Sequence, residues 1–527
     1  MEKYQKGYIF LLGFIFTLAA FAYALNIKVP VLIPDESIRA LVGLEMHFTG
    51  DYITPKIGGL YYYKKPPVYN WLIAGYYQIT GDYSEMATRL PMLLSLLAFA
   101  YSIFFFTKKY FNFRTGIIAA LFFIVSLRIL SYESLYGLID ITYSLVVFLT
   151  IIYTWQYAKK KKYLSLFLIT YALTALSFLM KGIPSIAYQG LTLLLVFIMN
   201  REFKKLFSWQ HILGGVLFLS ILGTYYYLYY LKNPVQITIL LNTIFNESAE
   251  KSGIAFGFWD IVKHAFSFSI EIIYSFIPAS LIILFLFHSK SREFVKNNRF
   301  LVFLCYAFLV NLSIYLISPI SYLRYVIPHF ALLSIPSAAT YFYLQNLGES
   351  KLLKSINGFF LFSAILILIG NFAYPFVPQL DFIENIWLKV FTLTILILVP
   401  IVVLYRKKKY RVELLIIALL VFKLGFNWII IPSRNHNNFI AEMREKSLKY
   451  GKDMQSKKAF IYNESLGTGE HFYLSAGKRG FIPKIKDTTG VDYIIGYYIP
   501  LDIPKSNLID EYKIEYFKDP LKIYKLK

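Results

Sequence analysis

The chain of 527 residues has a single cysteine, Cys305, which excludes a disulfide-stapled scaffold. Charge is scarce too: Asp, Glu, Lys and Arg make up 16% of the residues, against about 25% in an ordinary soluble domain. Acids are rarer than bases, 31 against 54, which leaves a formal charge of +23. No group of His, Cys or carboxylate side chains has metal-ligand spacing, so no cofactor and no protein-bound catalytic metal is expected, and nothing points to a divalent cation. A phosphate-binding loop and a dinucleotide fingerprint are both missing, which argues against cytosolic nucleotide-driven chemistry. Repeats of 20–50 residues and low-complexity tracts are absent as well.

What the chain has in abundance is apolar surface. Hydrophobic residues reach 57%, with 48 Phe and 45 Tyr, and the mean hydropathy is +0.53. So little polar surface cannot cover so many aromatics in water, and a polytopic, mainly α membrane protein is implied. A hydrocarbon core of about 30 Å needs roughly 20 apolar residues per helix. Runs of that kind lie near 8–27, 87–107, 113–131, 137–157, 162–180, 183–199 and 209–231, and again near 268–288, 299–318, 325–345, 354–377, 385–405 and 409–432. That gives about 13 transmembrane helices, the first of them an uncleaved span rather than a signal peptide.

Basic residues mark every second connection. With Lys3 and Lys6 cytoplasmic, the inner connections carry Lys108, Lys109 and Arg114; Lys159 to Lys162; Arg201, Lys204 and Lys205; Lys290 to Arg299; Lys351 and Lys354; and Arg406 to Arg411. The alternate connections hold little beyond Arg128, Lys181 and Arg324, and Val377 to Asn385 has no basic residue. This alternation is the positive-inside pattern. It reads the net charge as topology and contact with anionic membrane lipids, not as a nucleic-acid surface. Three longer segments then fall outside: about 28–86, about 232–266, and the tail. The membrane domain is 1–433, and 434–527 forms a small extracytoplasmic α/β domain, with strands expected at Ala459–Tyr462, Tyr493–Ile495 and Leu521–Tyr524. The tyrosines Tyr225–Tyr227, Tyr229 and Tyr230 read as an interfacial aromatic belt.

Ionisable residues beside spans are costly and therefore candidates for function. Asp35, Glu36, Arg39, Lys64, Lys65, Arg89, Asp140, Lys181, His264 and Arg324 all map to the outer ends of spans or to outer loops. The inner side has basic clusters and no comparable mixture of acids and bases. The first outer loop is dense in Pro, Gly and aromatics, which suggests short interfacial helices joined by fixed turns. Asp35 and Glu36 are neighbours on a helix and cannot face the same way, so one can meet a substrate while the other organises the loop.

The order Asp35-Glu36, Gly50-Asp51, Pro55, Gly59, Tyr62, Lys65-Pro66-Pro67, Trp71 and Arg89-Leu90-Pro91 resembles the lipid A aminoarabinose transferases and their protein O-mannosyltransferase relatives. These are C-type (GT-C) membrane glycosyltransferases, family 39-like. Ile139-Asp140, Lys181-Gly182 and Arg324-Tyr325 with Pro328 resemble later landmarks of the same family. The resemblance implies about 13 spans, an outer first loop carrying the catalytic acid and an outer C-terminal domain. It implies inverting transfer of a sugar from a polyprenyl-phosphate donor to an envelope acceptor: lipid A, another glycolipid or a glycan. The alternative acceptor is a secreted protein. Candidate catalytic residues are then Asp35, Glu36 and Asp140. Candidate substrate-binding residues are Tyr62, Lys65, Arg89, Lys181, Arg324, Tyr325, Arg39 and His264, the last interfacial rather than catalytic. The expected location is the bacterial inner membrane, with the N-terminus cytoplasmic and the tail periplasmic.

The chemistry is consistent with that class. A sugar phosphate already has a good leaving group, so the site must stabilise the departing phosphate, a task for Lys181, Lys65 and Arg324. A hydroxyl acceptor needs a base, for which Asp35 is the candidate, whereas a phosphate acceptor needs none. A transporter of lipid-linked sugars is the competing class, but its polar groups would gather near the bilayer midplane.

Overall fold

The computed structural model describes residues 2–234, 256–348, 351–436, 438–462, 466–485, 490–497, 504, 507–513 and 520–526. Most of the second outer segment, expected at 232–266, lies outside the described residues.

Every one of the thirteen apolar runs falls on a helix. These are α1 (Glu2–Ala24), α4 (Glu85–Tyr110), α5 (Phe113–Ile124), α6 (Asp140–Lys159), α7 (Tyr163–Lys181), α8 (Pro184–Met199) and α9 (Trp209–Lys232). They continue as α10 (Phe258–Ser275), α11 (Arg299–Leu316), α12 (Ile327–Leu347), α13 (Lys351–Asn371), α14 (Ile386–Tyr405) and α15 (Arg411–Gly425). Among the described residues nine helices are by themselves long and apolar enough to cross a membrane. Helices α5 and α8 are shorter, and α12 is long but buried along nearly its whole length, so it has no need of a lipid-facing surface. The eighth run, expected as one span over 268–288, is instead a bent pair: α10 and Ala279–Phe285 meet at 111°. Pro278 stands at the break, where it has no N–H with which to continue a helical ladder.

Burial sorts the bundle into layers. The membrane-length window of α6 is 78% buried and that containing α15 is 72% buried, against 22% for α1, α9, α13 and α14. The outer helices turn side chains such as Phe10, Phe362 and Val402 outward, a face that suits lipid and not water. Arg114 braces the end of the bundle away from the first loop. It reaches Glu413 at 2.8 Å and stacks over Phe342.

The first loop folds as two helices, α2 (Pro34–Thr49) and α3 (Val68–Thr80), around a hairpin of β1 (Lys56–Ile57) and β2 (Leu60–Tyr61). Pro34 opens α2, where its fixed φ and missing N–H are harmless. Gly58 and Gly59 take φ of +62° and +80° in the hairpin turn, a backbone that L side chains resist. Their N–H groups both donate to Glu45 at 2.8 Å. Two of the belt tyrosines have a second role: Tyr225 and Tyr229 are buried, and the Tyr225 hydroxyl donates to the Ile53 carbonyl at 3.1 Å. Lys232 adds an ion pair to Asp51 at 2.8 Å. Two of the five tyrosines of the expected belt therefore form a docking face for the loop; Tyr227 and Tyr230 remain exposed.

From α16 (Phe439–Asp453) the chain builds a five-stranded sheet in the order β4-β3-β5-β7-β6. The strands are β3 (Ala459–Tyr462), β4 (Lys484–Ile485), β5 (Tyr493–Gly496), β6 (Leu508–Tyr512) and β7 (Leu521–Lys525). β3 pairs in parallel with β4 and β5, and β7 runs antiparallel to both β5 and β6. Helix α17 (Thr468–Lys478) packs on α2. The Tyr473 hydroxyl donates to Glu85 at 3.0 Å and accepts from the Leu32 N–H at 2.9 Å. Lys484 N–H donates to the Gly58 carbonyl at 3.1 Å. The tail thus sits on the first loop, at the same end of the bundle.

His471 of α17 is buried, with Nε2 at 2.9 Å from the Ile482 carbonyl. Burial pushes its pKa down to about 4, and the Lys484 charge adds to this. An exposed imidazole titrates near 6.5, so the unfolded chain binds the proton first. The stability this gives is complete above about pH 6.5 and falls as pH drops toward 4. Protection of the α17 amides against hydrogen exchange, measured relative to the intrinsic rate at each pH, is expected to fall from pH 6.5 to pH 4.5 in the intact protein, with His471→Gln flattening that dependence. An identical pH profile in the variant would remove His471 as the cause.

Candidate active site

Two helix starts carry the exposed acid and its buried counterpart. Asp35 lies in the first turn of α2 and Asp140 opens α6, positions where a carboxylate meets the positive end of a helix. Asp35 pairs with Arg324, from the short turn Leu323–Val326 that leads into α12. Asp140 pairs with Lys181, the last residue of α7. Lys181 Nζ sits over the rings of Tyr143 at 5.0 Å and Tyr325 at 4.9 Å, and Arg324 packs over Tyr325 at 5.6 Å. Tyr325 therefore links the two ion pairs.

Asp35 is exposed, with 55% of its side chain accessible. Burial raises its pKa, but the Arg324 hydrogen bond and charge, with Arg39 and Lys65 beyond, outweigh that and hold it below the usual carboxylate range. Arg39 donates to the Tyr62 hydroxyl at 3.1 Å, and its Nη1 is buried without a hydrogen-bond partner. Lys65 is half-buried on the same loop. Asp35, Arg39, Tyr62, Lys65, Asp140, Lys181, Arg324 and Tyr325 are thus brought into one region from five separate stretches of chain.

Three expected site residues are placed elsewhere. Glu36 is fully buried and grips Arg89 through two bonds of 2.7 and 2.9 Å. It also accepts from the Gly137 N–H at 2.6 Å, and Arg89 donates to the Ile27 carbonyl at 2.5 Å. Both side chains are fully buried, and their bonds tie α2 to α4, to Gly137 and to Ile27. Space at Gly137 is tight: a Cβ would lie 3.0 Å from the Thr88 carbonyl and 3.1 Å from Glu36. His264 is the third. Its Nε2 lies 3.1 Å from the Tyr315 carbonyl and its ring stacks on Phe268, which ties α10 to α11.

The sequence reading overlooked Glu133. It is buried between α5 and α6, bonded to Arg128 at 2.8 Å, with Oε2 lacking a partner. Burial and the neighbouring Asp140 push its carboxyl up. An acid in a short connection between two apolar runs is the signal that could have found it. With Glu133 and Arg128 included, five basic groups gather around three carboxylates. That excess of positive charge suits a phosphate. Among the described residues no three His, Cys, Asp or Glu side chains converge as a metal site.

Beside this region a groove of about 530 Å³ runs between α3, α7 and α9. Trp71, Leu173, Leu176, Leu179, Ile221 and Tyr225 are among the side chains that line it, and the lining is almost wholly apolar. The groove follows α7, the helix that Lys181 ends, and Leu179 in its lining lies two residues before Lys181.

The model of the dolichyl-phosphate-mannose-protein mannosyltransferase family matches residues 64–227. Two curated relatives are similar over shorter stretches. One is undecaprenyl phosphate-alpha-4-amino-4-deoxy-L-arabinose arabinosyl transferase 2 of Pseudomonas fluorescens, 28% identical over 130 residues, which is 23% of this chain and 21% of that protein. The other is the corresponding transferase of Pseudomonas savastanoi pv. phaseolicola, 34% identical over 104 residues, 18% of this chain and 19% of that protein. The chain thus matches about a fifth of the length of these curated relatives. The fold agrees much further. The crystal structure of ArnT from Cupriavidus metallidurans bound to undecaprenyl phosphate superposes with a TM-score of 0.69 at 18% identity, over 98% of this chain and 97% of that one. Its apo structure gives 0.67 at 17% identity, over 99% and 98%. The resemblance read from the first-loop motifs therefore reappears in the family match from Lys64 onward, and the chain shares the C-type membrane glycosyltransferase fold of ArnT from end to end.

Proposed function

We propose that this protein is a glycosyltransferase that moves a sugar from a polyprenyl-phosphate donor to an envelope acceptor, lipid A or another glycolipid or glycan, at the outer face of the bacterial inner membrane. The observation that carries the reading is the pairing of Asp35 with Arg324 and of Asp140 with Lys181 around Tyr325, with an apolar trough along α7, the helix that Lys181 ends. A donor with a charged head and a prenyl tail needs both features side by side. The curated relatives act on an undecaprenyl-phosphate-linked aminoarabinose by their names, which supports that donor class. The charge alternation along the chain supports an outer site and a cytoplasmic N-terminus.

In this reading Arg324 and Lys181 hold the donor phosphate and stabilise the charge that grows on it as the glycosidic bond breaks. A phosphate that engages Arg324 competes with Asp35 for the guanidinium. Asp35 then loses the partner that keeps it weakly basic, and becomes free to accept a proton or orient the acceptor next to the anomeric carbon. The family model's own description names protein mannosylation, which makes a secreted protein the second acceptor to examine. Mass spectrometry of envelope glycolipids and glycoproteins, with and without the gene, distinguishes the two. Loss of one sugar from a glycolipid is the expected result; an unchanged glycolipid set with a lost protein glycan selects the second reading, and no change in either rejects both.

A further inference from the structure

The opposite end of the bundle holds a pocket that the transfer reaction does not use. Asp140 and Lys159 open and close α6, which places them about 30 Å apart at 1.5 Å per residue. Around Lys159 lies a cavity of about 480 Å³ walled by the ends of α4, α6 and α8 and the start of α11. Three cations line it, Lys159, Lys161 and Arg299, against a single acid, Glu202. Arg299 is fixed across the opening by bonds of 3.2 Å to the Met199 carbonyl and the Asn200 side chain. Lys159 Nζ stands 5.4 Å from the centre of the Tyr110 ring. That ring stacks on Phe300 at 3.8 Å and forms, with Trp155, an aromatic wall.

Two further observations point to a ligand at headgroup depth. Lys161 adopts φ of +55°, a conformation that costs a side-chain residue energy and that glycine would take freely. The turn therefore places a cation at the pocket despite the backbone strain. Next to Glu202 the turn Phe203–Phe207 and the start of α9 expose Phe203, Phe207 and Trp209. Such aromatics lie at the level of lipid headgroups.

We propose that this pocket binds the phosphodiester of an anionic membrane lipid, on the side that the charge alternation assigns to the cytoplasm. The cations meet the phosphate, while Tyr110, backed by the buried rings of Trp155 and Phe300, packs against the glycerol. A soluble phosphate would share the cationic contacts but leave the aromatic wall unused.

Native mass spectrometry of the full-length protein in non-ionic detergent tests this, with phosphatidylglycerol, phosphatidylcholine or inorganic phosphate added. One phosphatidylglycerol is expected to bind at least about tenfold more tightly than phosphatidylcholine. Combining Lys159→Gln, Lys161→Gln and Arg299→Gln should weaken it on the order of 100-fold, about fivefold for each cation. The Lys159→Arg/Lys161→Arg protein should bind as the wild type does, and so should Arg201→Gln, whose exposed side chain lies outside the pocket. Should the triple variant fail to fold, Lys159→Gln alone carries the test through its fivefold loss. Equal binding of the two lipids, an unaffected triple or Lys159→Gln variant, or inorganic phosphate that binds and blocks phosphatidylglycerol would each overturn the assignment.

Discussion

Asp35→Asn is expected to lower turnover by a factor of about 10²–10⁴ without raising the donor KM. The substitution keeps size and part of the hydrogen bonding to Arg324 but removes the charge and the basicity. Because Asp35 is exposed at the start of α2 and lies outside the apolar core, its loss should not unfold the protein. Arg324→Met should behave differently. It removes the proposed phosphate ligand, so donor KM should rise, and kcat should fall as the leaving phosphate loses stabilisation. Measuring kcat and KM separately for the two variants distinguishes the roles. A wild-type rate in folded Asp35→Asn would take Asp35 out of the reaction.

Arg89→Met should have the largest effect on stability. It leaves Glu36 buried without its bidentate partner, and an uncompensated buried charge costs about 3–5 kcal/mol. A domain of marginal stability, about 5–15 kcal/mol in all, loses a large part of its margin. The loss should appear as poor yield and a lowered unfolding temperature in detergent. Glu36→Gln/Arg89→Met should recover part of it, since the stranded charge is gone and the Gln oxygen can still accept from the Gly137 N–H; recovery stays incomplete because the Ile27 carbonyl loses its donor. An unchanged unfolding transition in Arg89→Met would show that the pair does not hold the loop.

These two substitutions also mark where sequence reasoning reached and where it stopped. The helices of the apolar runs were legible because a hydrocarbon slab demands about 20 apolar residues wherever a helix crosses it. The break at Pro278 was hidden because a proline interrupts a helix without interrupting its hydropathy. That Asp35 and Glu36 face apart follows from the 100° between successive helical residues, and the structure has Asp35 outward and Glu36 inward. What Glu36 binds was not legible. Arg89 lies 53 residues away, and its position beside a span made it look like a substrate ligand when it is a buried brace. His264 misled in the same way, since proximity to the outer surface in sequence says nothing about which carbonyl an imidazole meets. Glu133 went unnoticed because it falls in a connection between two apolar runs. Tyr225 and Tyr229 were read as a belt because a tyrosine that docks a loop and one that meets headgroups occur in the same sequence context.

The central claim is that the charged cluster cleaves a polyprenyl-phosphate sugar and transfers its glycosyl group. The direct measurement is to incubate the purified protein with a polyprenyl-phosphate sugar and an envelope glycolipid extract, and to follow both products by mass spectrometry. The account predicts release of free polyprenyl phosphate in step with glycosylation of an acceptor, and loss of both in Asp35→Asn. A donor that stays intact while the wild-type protein binds it, or moves it across a vesicle membrane, would contradict the account and make the protein a carrier.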